Sequence, residues 1–257
     1  MAKWTAFPQL GEYDFDATGV KKHWSRLHAG DAEPLPLDAA VLDAWVLFHN
    51  GDYQRAAEAG LKAGADGITV ANKATAVYAN YLEKKEKIKL DLFMEVAQRA
   101  EALAVQDAKN ANAWYWQAYA LGRYSQGISV AKALAQGLGG KVKEALERCI
   151  KLQPKHADAH IALGAFHAEV IDKVGTLIGG MTYGAKKDIG LKLFQDALKL
   201  NPASPIGMIE YANGLVMLEG DKKLKDATRL YEQAAASKPA DATEHLDVAL
   251  ARAELDD

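Results

Sequence analysis

Apolar residues recur at spacings of three and four along most of this chain, which is the pattern of amphipathic helices. Near the C-terminal end one pattern occurs twice: a small residue, an aromatic residue four positions later, Ala three positions after that, and Pro five positions further on. The two copies are Gly190, Phe194, Ala197 and Pro202, and Ala227, Tyr231, Ala234 and Pro239. In a helical array each hairpin buries its apolar face only against the next one, so a repeated unit predicts stacked hairpins.

We predict an all-α solenoid of about five helical hairpins with a C-terminal capping helix. The hairpins cover residues 37–64, 69–107, 109–154, 155–202 and 205–239, and the cap covers 240–257. Two insertions, 124–141 and 170–188, lengthen the third and fourth hairpins between their paired helices. We expect these insertions to fold over one edge of the array.

The first part of the chain has a different character. Residues 1–36 are punctuated by Pro and Gly, so we predict an irregular N-terminal arm with one short helix at 20–30. Residues 37–257 are predicted to form the helical repeat domain.

Composition and charge restrict the possible functions. The net charge of −3 argues against nonspecific nucleic-acid binding, which needs a basic surface. Cys149 is the only cysteine, so an intrachain disulfide is excluded, and its helical context predicts a small core residue. Because we find neither an apolar leader nor a run long enough to span a membrane, we expect a cytoplasmic protein.

The hairpin motifs resemble the tetratricopeptide repeat (TPR) family over residues 37–255, most strongly over 111–239. A TPR unit has a large residue, a Leu-Gly pair and an aromatic residue in its first helix, and the Ala, aromatic, Ala and Pro pattern in its second. The first-helix positions of the fourth hairpin are taken by His160, Leu163, Gly164 and His167. In the third hairpin Trp114 is the large residue, and Ala118 replaces the usual Gly.

A closer resemblance is to the regulator of microtubule dynamics proteins. It rests on LGAFHAEV at 163–170, followed by the Gly-rich stretch and final helix at 179–202. The TatT-type component of TRAP transporters is a more distant parallel. The first hundred residues show neither resemblance. Members of these groups bind or tether other molecules, so the resemblance implies a noncatalytic adaptor without a cofactor.

The candidate binding residues lie on one stripe of the helix that opens the third hairpin. Tyr115 and Tyr119 are four residues apart, and Asn112 and Arg123 extend their stripe. In the TPR family this stripe faces the concave groove where ligands bind, and Tyr and Arg are enriched in binding hot spots. The alternative is that the tyrosines pack against the next repeat or against the 124–141 insertion. The corresponding stripes of the fourth and fifth hairpins add Asp158, Ile161 and Asn213.

Other candidate sites are weaker. The Gly/Lys stretches 137–143 and 179–187 precede helices and could hold an anion, but tight crossings explain them more simply. His156, His160 and His167 share a helix face and could bind zinc, but packing and hydrogen bonding explain them better. No local signature of a nucleophilic triad or carboxylate pair occurs, so we predict neither catalytic nor metal-binding residues.

The sequence therefore predicts a noncatalytic adaptor or scaffold that holds a protein segment on its concave face. The alternative is a small-molecule binding protein whose groove is closed by the two insertions. We expect a protein or peptide partner, no nucleic acid and no membrane span, and homo-oligomerisation stays open.

Overall fold

The computed structural model describes residues 3–256, and this part of the chain is helical, with no β-strand. The helices are α1 (Ala17–Leu27), α2 (Ala39–His49), α3 (Tyr53–Lys62), α4 (Ile68–Val77), α5 (Glu86–Gln106), α6 (Ala111–Gln126), α7 (Val130–Ala135), α8 (Leu138–Leu152), α9 (Ala157–Tyr183), α10 (Lys187–Leu200), α11 (Pro205–Glu219), α12 (Leu224–Ala235) and α13 (Ala242–Asp256). The predicted hairpins are α2–α3, α4–α5, α6–α8, α9–α10 and α11–α12, and α13 follows them.

Short polar side chains begin many of these helices, because an oxygen at this position accepts a hydrogen bond from a first-turn N–H group. Such caps are Asp16, Asp38, Asn110, Ser129 and Ser204. Pro205 then takes the first position of α11, where its missing N–H costs nothing.

The chain forms two compact units. The first contains residues 3–28, 33–152 and 241–243, and the second contains 29–32, 153–240 and 244–256. The predicted boundary at residue 37 between an arm and a repeat domain stays a prediction, and the part of the arm up to His28 lies in the first unit.

Aromatic side chains form much of the core of the first unit. Trp45 and Phe48 of α2 are buried, with ring centroids 5.4 Å apart. Gly51 has a φ of 85°, which lets the chain turn into α3. A Cβ on Gly51 would lie 3.0 Å from Cγ of Phe7, so the absence of a side chain also makes room for this buried ring.

The N-terminal residues are held by specific contacts within the first unit. Trp4 stacks on Tyr78 with ring centroids 4.2 Å apart, and the backbone N–H of Trp4 donates to Oε1 of Gln54. The backbone of Phe15 exchanges two hydrogen bonds with the side chain of Asn50. The arm therefore packs on the first helices, and its predicted short helix is α1.

The core of the second unit centres on Phe194 of α10. This fully buried ring forms a cluster with Ile161 of α9 and Ala197, and it stacks on Tyr211 of α11 at 5.4 Å. Gly164 and Gly214 give it the space to do so, because a Cβ on either would crowd the ring. Gly190 of the repeated pattern also allows close helix packing, because a Cβ there would lie 3.1 Å from Cβ of His167.

Both insertions contain helix. The first includes α7, which has no buried residue. Within the second, α9 continues to Tyr183 across a kink at Gly175, which has φ 81° and ψ 159°. A Cβ on Gly179 would lie 3.0 Å from Cγ1 of Val170. A straight helix would separate these residues by about 13 Å, so the chain reverses at Gly175. Folding of the insertions over one edge of the array stays a prediction.

Candidate protein-binding face

Helix α6 positions the main candidate residues, and its start is fixed by Asn110. The Oδ1 atom of Asn110 accepts a hydrogen bond from Ala113 N–H at 3.0 Å, which caps the helix. One side of α6 packs on α5 and another on α8, and these are among the most extensive helix contacts in the first unit. The aromatic residues of α6 are therefore held on a rigid, capped helix.

Tyr115 and Tyr119 lie together, as their spacing predicts, but their burial differs. Their ring centroids are 6.0 Å apart. Tyr115 is only 6% exposed, whereas Tyr119 is half-buried. The burial of Tyr115 agrees with the alternative that this tyrosine packs inside the protein. Tyr119 is the member of the pair that reaches the surface.

Trp116 joins the two tyrosines into one aromatic cluster. Its ring lies edge-on to Tyr115 at 4.9 Å and to Tyr119 at 5.3 Å. The buried Nε1 atom of Trp116 has no hydrogen-bond partner among the described residues. Trp116 was not among the predicted site residues, although its position between the two tyrosines in the sequence indicated a shared aromatic cluster.

Arg123 completes this cluster one turn further along α6. Its guanidinium carbon lies 5.3 Å from the ring centroid of Tyr119, and Nη1 donates to Oε1 of Gln126 at 3.3 Å. A guanidinium over a tyrosine face is an attractive cation–π contact and orients both side chains. The half-buried pair presents an aromatic surface edged by a positive charge.

Asn112 belongs to the same predicted stripe, but it faces a structural partner. It is 4% exposed, and Nδ2 donates to Oε2 of Glu33, from the segment before α2. This bond joins positions far apart in sequence. Within the first unit the structure therefore brings Tyr115, Tyr119 and Arg123 together and places Asn112 in a buried contact.

The remaining three candidates lie in the second unit. Ile161 is 6% exposed and packs in the Phe194 cluster. Asp158 is half-buried, and its N–H donates to Gly30 O at 3.0 Å. Asn213 accepts a hydrogen bond from the Tyr231 hydroxyl at 2.6 Å. These contacts are compatible with structural roles, and a ligand role for all seven predicted residues stays a prediction.

The histidines of α9 bond to the backbone. His156 caps the helix through Nδ1, which accepts from Ala159 N–H at 3.1 Å, and Nδ1 of His160 donates to His156 O at 2.9 Å. Nδ1 of buried His167 accepts from Lys186 N–H at 3.1 Å, so it secures the approach to α10. In residues 3–256 no cluster of three or more His, Cys, Asp or Glu is placed to share a metal ion.

The core position of Cys149 and the apolarity of the helices can be compared with the sequence predictions. Cys149 is fully buried in α8, as predicted for a small core residue. Among the helices of residues 3–256, none combines the length and apolarity that a membrane crossing requires.

Comparison with known families confirms the resemblance to the regulator of microtubule dynamics proteins. The model of the family "Regulator of microtubule dynamics protein 1-3" matches residues 53–177, just under half of the chain. The expectation that the first hundred residues lack this resemblance is wrong, because the match begins at Tyr53. The resemblance to the TatT-type transporter component stays a prediction.

Comparison with solved structures confirms the fold class. The crystal structure of a thermophilic TPR protein from Thermus thermophilus is similar with a TM-score of 0.58 and 16% sequence identity. The similarity covers 83% of this chain and 97% of that chain. At this identity the likeness shows an all-α, TPR-like fold and nothing about ligands. No curated protein matches the sequence.

Proposed function

We propose that this protein is a noncatalytic adaptor that binds a protein segment on the face of α6 that bears Tyr119 and Arg123. The TPR-like fold suggests a protein-interaction scaffold in general, and the observation that carries the specific proposal is this preorganised pair. Tyr and Arg dominate binding hot spots because they bury a large area and also form polar contacts. A pair already held in place loses little conformational entropy when a partner binds.

Tyr115 and Trp116 pack against the Tyr119 ring and hold the pair in position. Both are buried, and both contact the Tyr119 ring at centroid distances of 6.0 and 5.3 Å. A partner would therefore meet a rigid aromatic surface. Because Tyr115 is part of this support, its substitution would disturb the helix packing as well as the binding face.

The alternative of a closed small-molecule pocket has less support. A lid over a pocket buries apolar side chains against the ligand or the walls. In α7, however, no residue is buried, and Val130 and Leu134 are each 49% exposed. The first insertion thus gives little cover to α6, which favours an open face that accepts an extended or helical segment.

Identification of the partner is the first experiment. Native mass spectrometry of the protein isolated gently from its own cells should show a second polypeptide bound at fixed stoichiometry. An adduct of a few hundred daltons in place of a polypeptide would favour the small-molecule alternative.

The binding face is then tested with the purified partner by calorimetry. The double variant Tyr119→Ala with Arg123→Ala should weaken binding at least about tenfold, since it removes a hot-spot pair. The matched control is the other tyrosine–cation pair of this region, Tyr124 with Lys132, whose centroid distance is 5.9 Å. Its double alanine variant should bind normally. Unchanged affinity in the first variant, with helical content intact, would refute the assignment of this face.

A further inference from the structure

A cleft of about 400 Å³ lies in the first unit, away from the Tyr119–Arg123 pair. One wall is the segment Glu33–Leu37, and the others come from the start of α2, the turn before α4 and the end of α5. Neither Tyr119 nor Arg123 lines it. The cleft is therefore a second surface, which shares no lining residue with the Tyr119–Arg123 pair.

The lining of this cleft is acidic. It includes four carboxylates, Glu33, Asp38, Asp66 and Asp107, and no Lys, Arg or His. The described chain has no group of three or more such side chains that could share a metal ion, so these charges are distributed around the cleft. Asp38 and Asp107 accept bonds from neighbouring backbone N–H groups.

The helix ends around the cleft add less charge than the carboxylates. Helices α2, α4 and α6 begin beside its lining, and α5 ends there. Three positive helix starts and one negative helix end amount to about one positive elementary charge, which is smaller than the charge of four carboxylates. The four carboxylates therefore set the sign of the local potential, which attracts a cationic partner.

The cleft also has apolar walls and uncovered leucines. Val41 and Leu103 line its interior and are buried. At its rim Leu35 is 44% exposed, and Leu37 is fully exposed at 103%. A partner that covers these leucines gains hydrophobic free energy on binding.

Two prolines fix the shape of the rim. Pro34 and Pro36 alternate with the leucines, restrict the backbone dihedrals and hold the segment extended. A wall of this kind is formed before the partner arrives, so little entropy is lost on binding. The volume is at the low end of the range for ligand pockets, which suits one or two side chains of a longer chain.

We propose that this cleft binds a polypeptide segment that presents Lys or Arg side chains beside apolar ones. An apolar side chain enters between Leu37 and the buried wall, and the neighbouring basic side chains reach the carboxylates around it. The cleft combines apolar walls with carboxylates, so it favours a segment in which apolar and basic side chains lie close together.

The test is the binding of synthetic peptides to the full-length protein. NMR chemical-shift changes locate the bound peptide, and calorimetry measures its affinity. The probe is an acetylated, amidated hexapeptide of alternating Leu and Arg. Two matched peptides change one property each: in one, Glu replaces Arg and reverses the charge, and in the other, Gly replaces Leu and removes the apolar side chains. Spermidine tests whether a small polycation binds equally well. Only the Leu–Arg peptide should bind with a micromolar dissociation constant, and the NMR chemical-shift changes should centre on the residues of the cleft. Added salt should weaken the binding of this peptide.

Two exposed residues of the cleft provide variants that should not disturb folding. Asp66→Asn should weaken the Leu–Arg peptide about twofold to fivefold, because one exposed charge contact is lost. Leu37→Ser should weaken it about tenfold, because the apolar contact is lost. The controls Glu101→Gln and Leu10→Ser change an exposed acid and an exposed leucine that do not line the cleft, and they should bind like the wild type.

Several outcomes would overturn the proposal: no binding of the Leu–Arg peptide, equal binding of the Leu–Glu peptide, or unchanged affinity in both cleft variants. Equal binding of spermidine or of the Gly–Arg peptide would assign the cleft to small or purely ionic cations instead. The result does not depend on the proposed face of α6, because the cleft variants leave Tyr119 and Arg123 intact.

Discussion

Glu219 shows how one side chain connects neighbouring helices. It ends α11, and its two carboxylate oxygens lie 2.9 Å from Nζ of Lys222 and 2.9 Å from Nζ of Lys187, which begins α10. The hydrogen bond from Lys222 and then that from Lys187 lower the pKa of Glu219 from 4.5 to about 2. Since the two lysines favour the ionised form, the folded state holds a proton at this group less tightly than the unfolded chain does.

This difference predicts a specific pH dependence. A carboxylate with a lowered pKa in the folded state stabilises the protein above the unfolded pKa, and this contribution is lost as the pH falls through the folded pKa. Glu219→Gln should therefore lower the melting temperature above pH 4.5, and the gap to the wild type should close as the pH approaches 2.

Thermal denaturation monitored by circular dichroism from pH 7 to 2 measures this gap. Glu144→Gln removes an exposed acid from α8 and should follow the wild-type curve. High salt should reduce the effect of Glu219→Gln, because both lysine partners are exposed to solvent. A gap that stays constant with pH would show that the two lysine contacts do not determine it.

At the same scale, the sequence predicted which side chains share a stripe but not how deeply each one is buried. The four-residue spacing correctly brought Tyr115 and Tyr119 together. It could not show that Trp116 packs against both rings, nor that Asn112 bonds to Glu33. These features depend on tertiary contacts, and a local pattern contains no information on the distant partner.

At the level of helices, a glycine that lies against a buried ring has a packing role that can be measured. Gly214 of α11 lies against the fully buried Phe194 ring, and a Cβ on Gly214 would lie 2.7 Å from Cζ of this ring. Phe194 is held by Ile161 and Tyr211 and has little room to move. By contrast, a Cβ on Gly122 of α6 would meet no atom within 4 Å.

These two glycines should respond to alanine in opposite directions. Gly214→Ala should destabilise the protein by about 1–3 kcal/mol, because overpacking outweighs the gain in helix propensity. Gly122→Ala should stabilise it by about 0.5–1 kcal/mol, since only the helix propensity changes. Urea denaturation of the two variants measures both changes. A stabilised Gly214→Ala variant would mean that Phe194 moves aside at little cost.

The helix pairs were predictable from the sequence, whereas the position at which α9 ends was not. Periodicity correctly separated the five hairpins and the final helix, and Pro154, Pro202 and Pro239 mark the ends of the last three hairpins. The second insertion was predicted as a crossing between helices, but α9 runs to Tyr183 with a reversal at Gly175. Glycine marks a place where the chain can turn, and it does not specify whether helix continues on either side.

Over the whole chain, the least predictable feature is the place of residues 241–243 within the first unit. Buried Asp241 lies 2.7 Å from Nδ1 of buried His49, and the carboxylate accepts the hydrogen of that nitrogen. Nε2 of His49 lies 3.3 Å from Nε2 of buried His28, so the three side chains form one hydrogen-bonded chain. The Tyr53 hydroxyl lies 3.1 Å from Oγ1 of Thr243. No periodic pattern connects residues 28, 49 and 241, so this network was not predictable from the sequence.

Because residues 241–243 belong to the first unit, truncation of the chain after Ala240 should loosen helices at the other end of the sequence. His49 would lose its carboxylate partner, and a buried donor without an acceptor costs about 1–3 kcal/mol. Amide hydrogen exchange should therefore quicken in α2 and at the start of α3. The single substitution Asp241→Ala should reproduce the effect in α2 with the rest of α13 present.

The control is truncation after Ala251, which keeps Asp241, Thr243 and the buried residues of α13 up to Ala251. Exchange in α2 should then match the full-length protein, although the end of α13 is missing. Unchanged exchange in α2 after truncation at Ala240 would show that the His49–Asp241 contact adds nothing to the stability of the first unit. Faster exchange in α2 after truncation at Ala251 as well would assign the effect to α13 as a whole, and the buried hydrogen bond would then not be its source.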